Sequence, residues 1–185
     1  MEEIRVGKSL LQVVQGDITA QDTEAVVNAA NHQLAPGGGV AGAIHKKAGP
    51  GLWEECRKLG GCATGEAKIT RGYNLPNTYV IHTVGPVYSG SGKDPVLLRS
   101  SYINSLKVAD TNKVRSISFP ALSTGIFGYP VDEAASVALE AITDYLAGMR
   151  DMTSIETVRM VLYDKAAYDA HVKALKTVRD RLGKS

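Results

Sequence analysis

The chain has 185 residues and a mass of 19.7 kDa, with 44% hydrophobic and 22% charged residues. That is the composition of one soluble globular domain spanning residues 1–185, and it excludes a disordered chain. Twenty-one basic and 19 acidic side chains leave a net charge of +2, too balanced to draw in nucleic acid or a membrane by bulk charge.

Taken in chain order, short apolar runs alternate with helical periodicity. Residues 4–6 offer a candidate edge strand. LLQVV (10–14), AVVNA (25–29), YVIHTV (79–84), SISF (116–119) and VRMVLY (158–163) read as strands covered on both faces. Residues 40–59 read as helical with a break at Gly49-Pro50-Gly51. Asp94-Pro95 is a helix start, with Leu98, Tyr102, Leu106 and Ala109 recurring at helical spacing. A further stripe runs from Asp132 through Ala135, Leu139, Ile142 and Leu146, and a last one from Ala167 to Leu182. This alternation predicts a three-layer α/β/α domain around a mixed, mainly parallel sheet.

Cys56 and Cys62 are spaced wrongly for a zinc pair, have no second pair to join, and read as free thiols. The N-terminal MEEIRVGKSL is charged and lacks an apolar signal core. The uncharged stretch 25–45 is broken by asparagines, a proline and glycines, so it is no membrane span. These features favour a cytoplasmic protein, and nothing in them demands more than a monomer. Lys46-Lys47 and the group Lys173, Lys176, Arg179 and Arg181 read as solvated helix faces, so no nucleic-acid partner is expected.

Four unusual segments each follow a predicted strand: Gly16-Asp17-Ile18, residues 28–40, residues 121–128, and Tyr163-Asp164. In an open parallel sheet, ligands bind at the carboxyl ends of strands, so the four can line one crevice. Gly37, Gly38, Gly39 and Val40 open a helix whose free N–H groups suit an anion. Ser123-Thr124-Gly125-Ile126-Phe127-Gly128 is a second loop able to present N–H groups. Together they can grip a diphosphate, mostly through backbone, since neither holds lysine or arginine. The Walker A pattern is absent. A formal GxGxxG at Gly37, Gly39 and Gly42 lies too far from its strand to be a dinucleotide fingerprint.

Asp17 can accept from an exocyclic amine such as adenine's, or simply cap the next segment. Tyr163 can stack on a base, and Asp164 can cap the last helix. Asn28 and Asn31 suit ribose hydroxyls, and Phe127 suits a sugar face or a small satellite core. No GxSxG elbow surrounds Ser123. His82 reads as structural, and His45, nearest the glycine-led helix start, as a packing or hydrogen-bonding residue.

The segments VVQGDIT (13–19), VVNAAN (26–31), GGGVAGAIHKKAGP (37–50), TGEAKIT (64–70), YVIHTVGP (79–86), FPALSTGIFGYP (119–130) and VLYD (161–164) resemble, in order, the macro domain family. That resemblance implies binding of ADP-ribose or O-acetyl-ADP-ribose, with mono-ADP-ribosylated proteins as further substrates and no cofactor. It implies that Asp17 holds the adenine amine, Ile18 offers its N–H, and Tyr163 lies against the ring. Gly38, Gly39 and Val40, followed by Ala41, would wrap the diphosphate with Ser123, Thr124, Gly125, Ile126 and Phe127. Asn31 and Phe127 would meet the distal ribose, with Asn31 catalytic, and Asn28 would belong to the same ligand-binding set. In the similar deacetylase and mono-ADP-ribosyl hydrolase branch, the glycine run is commonly GGGVD, and that aspartate is linked to catalysis. Here the position is Ala41, whose methyl cannot orient or deprotonate water.

Overall fold

The computed structural model describes residues 1–184, so Ser185, the expected end of the domain, lies outside it. Seven strands form one sheet: β1 (Glu2–Val6), β2 (Ser9–Gln15), β3 (Ala25–Ala29), β4 (Ala67–Arg71), β5 (Tyr79–Thr83), β6 (Ser116–Phe119) and β7 (Thr157–Leu162). Five α-helices accompany them: α1 (Gly39–Ala48), α2 (Pro50–Cys56), α3 (Lys93–Thr111), α4 (Val131–Met149) and α5 (Lys165–Gly183). The sheet order is β1-β2-β7-β6-β3-β5-β4. The inner five strands are parallel, and β1 and β4 close the edges antiparallel.

Each face of the sheet has its own core. On one, Leu98, Tyr102 and Leu106 of α3, Leu139 and Ile142 of α4, and Leu175 and Val178 of α5 pack on Leu11, Val13, Val27, Ile117 and Val158. On the other, Ile44 and Ala48 of α1 and Leu52 and Cys56 of α2 pack on Val26, Val80 and Val84. This is the three-layer arrangement expected from the alternation of elements. Among the described residues, no helix is long and apolar enough to cross a membrane.

Two local expectations need correction. The strand β4 was not anticipated: AKITR is short, half-exposed along most of its length, and carries two cations. It is a strand because residues 67–71 pair with all of β5, from Ala67↔Thr83 to Arg71↔Tyr79. Asp94 does not cap the start of α3. The helix begins at Lys93, with Gly92 as its cap. The Asp94 carboxylate reaches back instead, accepting from the Ser89 and Gly90 amides at 2.9 and 2.8 Å and from the Ser89 hydroxyl at 2.8 Å. Asp164, by contrast, caps α5 through the Ala167 amide at 2.8 Å.

His82 lies wholly buried in β5 under α2, and its role is structural. Its Nδ1 lies 3.1 Å from Asn28 Nδ2, a donor, so Nδ1 accepts. Nε2 then carries the proton and donates to Thr70 Oγ1 at 2.9 Å, while Thr70 donates onward to the Arg71 carbonyl. Burial, with a smaller contribution from His45, pushes the His82 pKa down to about 3. Burial likewise lowers the pKa of His45 and of His171.

These buried neutral rings make stability depend on pH. Below about pH 6.5 the unfolded chain takes up protons that the native state refuses, for His82 until about pH 3. Stability is therefore full above that upper limit and falls as pH drops through the window, by up to about 1.4 kcal/mol per pH unit for each such histidine. Urea midpoints measured from pH 8 to pH 5 should fall below pH 6.5, and His82→Gln should show the shallower pH slope.

Candidate functional site

The positions of the strands create the site. From β3 the chain moves outward to β4 before returning to β5, and from β6 it moves the other way to β7, so the direction reverses between β3 and β6. These two strands pair only at Ala25↔Ile117 and Val26↔Ser118. Their carboxyl-terminal halves diverge, leaving a crevice where such sheets bind ligands. A cleft of about 300 Å³ lies there.

One wall comes from residues after β3. Asn31 closes the turn: its Oδ1 accepts from the Ala35 amide at 2.9 Å, and its Nδ2 donates to the Ala35 carbonyl at 3.0 Å. The glycine run then leads into α1, with Gly38 as its cap and Gly39 at φ +56°. The first amides of the helix have no intrahelical partner and face the cleft with the positive end of the helix dipole. Gly42 is required by packing, since a Cβ there would lie 2.3 Å from the Gly37 carbonyl oxygen.

The opposite wall comes from the loop after β6. The Tyr129 amide donates to the Ser123 carbonyl and the Gly128 amide to the Gly125 carbonyl, which closes the loop on itself. Among the described residues, no amide of residues 123–127 donates to another backbone carbonyl, so these donors are free for a ligand. Thr124 turns its hydroxyl back to the Ala121 carbonyl at 3.2 Å. Ser123 holds φ +68°, and its buried hydroxyl has no hydrogen-bond partner among the described residues.

The cleft thus gathers Asn31, Gly38, Gly39, Val40, Ala41, Ser123, Gly125, Ile126 and Phe127, as the motifs suggested. No charged side chain lines it. Gly37, Gly85, Ala29, Ala30, Ala121 and Leu122 line it as well. Of these, Gly85 was not singled out from the sequence. Its signal was a small residue directly after a strand end, in TVGP.

Other expected residues lie elsewhere. Asn28 is buried in β3, with its amide on His82 instead of in the cleft. Asp17, Ile18 and Tyr163 follow the adjacent strands β2 and β7 and do not line the cleft. Two strand spacings, about 10 Å, separate β7 from β3. Asp17 Oδ1 accepts from the Thr19 hydroxyl at 2.7 Å and the Thr19 amide at 2.8 Å. These bonds, the hydroxyl first, hold its carboxyl below the usual range, and the Lys47 charge adds to the effect. Asp17 therefore does cap the short turn Ile18–Ala20, while one carboxylate oxygen has no protein partner among the described residues. Lys47 ties α1 to this turn through the Thr19 carbonyl at 2.6 Å. Tyr163 is 84% exposed. His45 is buried, and neither ring nitrogen has a hydrogen-bond partner among the described residues. Among the described residues, no cluster of three His, Cys, Asp or Glu side chains suits a metal.

Gly85 and Ser123 hold the cleft floor together. A Cβ at position 85 would fall 2.2 Å from Ser123 Oγ. Gly85→Ala should therefore cost about 1–3 kcal/mol of stability through overpacking. Ser123→Gly removes the clashing oxygen and relieves the positive φ, so the double variant should recover most of that loss. Thermal melts of the four-membered cycle test this.

The Macro domain family profile matches residues 27–138. A macro domain-containing protein of Chlorobaculum tepidum is 51% identical over 167 residues, covering 90% of this chain and 95% of its own length. The ADP-ribose glycohydrolase MACROD2 of Xenopus laevis is 52% identical over 155 residues, which cover 81% of this chain but 37% of that protein. Among solved structures, the Oceanobacillus iheyensis macrodomain with ADP superimposes with a TM-score of 0.92 at 37% identity, covering 97% of both chains. The Trypanosoma brucei macrodomain in complex with ADP-ribose gives 0.83 at 38% identity, covering 89% of this chain and 68% of the other. With a sheet of this order, a cleft between β3 and β6, and relatives at this identity over nearly its whole length, the chain belongs to the macro domain family.

Proposed function

We propose that this chain binds ADP-ribose across the carboxyl edge of its sheet and hydrolyses ADP-ribose derivatives at the distal ribose. The substrates are O-acetyl-ADP-ribose or mono-ADP-ribose carried on a protein. The observation that carries this reading is the uncharged cleft between two sets of free backbone amides, residues 39–41 and 123–127, which suits a diphosphate. In this reading adenine lies at the β2 and β7 ends, on Asp17, Ile18 and Tyr163, and the distal ribose by Asn31 and Phe127; the neighbouring positions of those strands and the cleft lining support it. The MACROD2 relative, an ADP-ribose glycohydrolase by name, supports the hydrolytic half.

In this reading no protein carboxylate lines the cleft, so the attacking water is oriented by the substrate's own diphosphate, which the amides hold in place. Asn31 keeps one N–H and one oxygen lone pair beyond its two bonds to Ala35, enough to position the ribose or the water. Water adds at the acyl or anomeric carbon, and the ester oxygen leaves carrying a proton. Ala41 favours a second reading, in which the same cleft reads ADP-ribose without turning it over.

Turnover with excess O-acetyl-ADP-ribose, and in parallel with a mono-ADP-ribosylated protein, separates the two. Wild type should turn over many times, and Asn31→Ala should lower kcat by about tenfold or more while also weakening ADP-ribose binding, since the 31–35 turn loosens. Unchanged turnover in Asn31→Ala would remove Asn31 from the mechanism. No turnover by wild type, with activity gained in Ala41→Asp, would establish the reader instead.

A further inference from the structure

On the side of the sheet opposite α3, α4 and α5, a chain of polar side chains leads from β7 to the proposed base-binding turn. Arg159, only 23% exposed, donates from Nε to Gln12 Oε1 at 3.0 Å and from Nη1 to Gln21 Oε1 at 3.1 Å. Nη1 also meets Asp22 Oδ1 at 3.2 Å. Gln21 Nε2 in turn donates to the Asp17 carbonyl at 2.9 Å, the same oxygen that accepts from the Ala20 amide at 3.1 Å. A guanidinium only donates and a carbonyl only accepts, so both neighbours reject the flipped Gln21 amide. Asn77 separately holds the main chain here, donating to the Gln21 and Thr23 carbonyls at 3.0 and 2.7 Å.

The Asp17 peptide is thus fixed from one side by Gln21, and its carboxylate from the other by Thr19. What remains free is one carboxylate oxygen and, one residue on, the Ile18 N–H, which donates to nothing among the described residues. That acceptor–donor pair matches adenine, whose amine donates and whose N1 accepts. Hypoxanthine presents the reverse: an oxygen toward the carboxylate and an N–H toward the N–H.

We propose that Arg159 and Gln21 form a positioning relay that sets the spacing of Asp17 and Ile18, and thereby the preference of the site for adenine over hypoxanthine. This rests on the placement of adenine given above. Neither residue touches the ligand; both act through the Asp17 peptide.

The test is calorimetric titration of the intact chain with ADP and with inosine 5′-diphosphate. Wild type should prefer ADP by about tenfold or more, because the site leaves hypoxanthine with two unmatched contacts. Gln21→Glu keeps the partner of Arg159, and with it the thermal midpoint, but turns an oxygen on the Asp17 carbonyl. It should cut the preference by about fivefold or more, through weaker ADP binding with inosine diphosphate binding unchanged. Arg159→Met should act in the same direction, and Arg159→Lys, which can still donate to Gln21, should restore part of the preference. A wild-type ratio retained in both Gln21→Glu and Arg159→Met, or an equal loss for both nucleotides, overturns the relay while leaving the adenine placement intact. Absence of any preference in wild type overturns the placement and the relay together.

Discussion

Every feature of the site depends on two strands that begin as neighbours and part. β3 and β6 share two residue pairs near their starts and none beyond. Each is followed by a connection that leaves the sheet in the opposite direction from the other. The loops after them cannot close over the gap, because each is committed to its own half of the sheet. The gap is therefore walled on both sides by chain that has just left a strand, where amides are not yet spoken for. A helix N-terminus supplies one set and the 123–127 turn the other.

Lining a cleft with backbone amides alone has a structural cost, visible in which residues are tolerated. The helix can approach Gly37 closely only because position 42 has no Cβ. The opposite loop reaches its shape with Ser123 in a left-handed conformation and Gly85 beneath it. In return, the donors are fixed before the ligand arrives. No long cationic side chain has to be ordered, and no rotamer entropy is lost on binding. The Asp17 turn is built differently, from side chains: Thr19, Gln21, Arg159 and Lys47 hold it by hydrogen bonds across three separate elements.

Much of this architecture was legible in the sequence, for reasons that can be named. The buried strands are runs of β-branched residues, and the glycine-rich loops sit where the runs end, so fold and cleft followed from pattern. What was not legible depended on partners remote in the chain. AKITR becomes a strand only because β5 offers it a full edge. Asp94 has a capping residue's identity, yet its loop places three donors behind it instead of ahead. Asn28 lies three residues before Asn31 in one motif, but the alternation of a strand turns it inward to His82, while Asn31, past the strand end, reaches the cleft. Gly85 matters through Ser123, 38 positions later, which no local window reveals.

The substitution at position 41 acts on binding as well as on chemistry. Ala41 is buried in the cleft wall on the first turn of α1, where a diphosphate would lie within a few ångströms. A carboxylate there would face that diphosphate as a like charge in a cleft holding no cation. At an effective dielectric of about 20, two unit charges about 5 Å apart repel by about 3 kcal/mol, which the amides would have to offset. A methyl removes that repulsion and leaves every amide of the grip in place. By charge alone, then, a methyl at position 41 suits a bound diphosphate better than a carboxylate would. A hydrolase built this way relies on the bound diphosphate for the role a carboxylate would take, and a reader built this way needs nothing more.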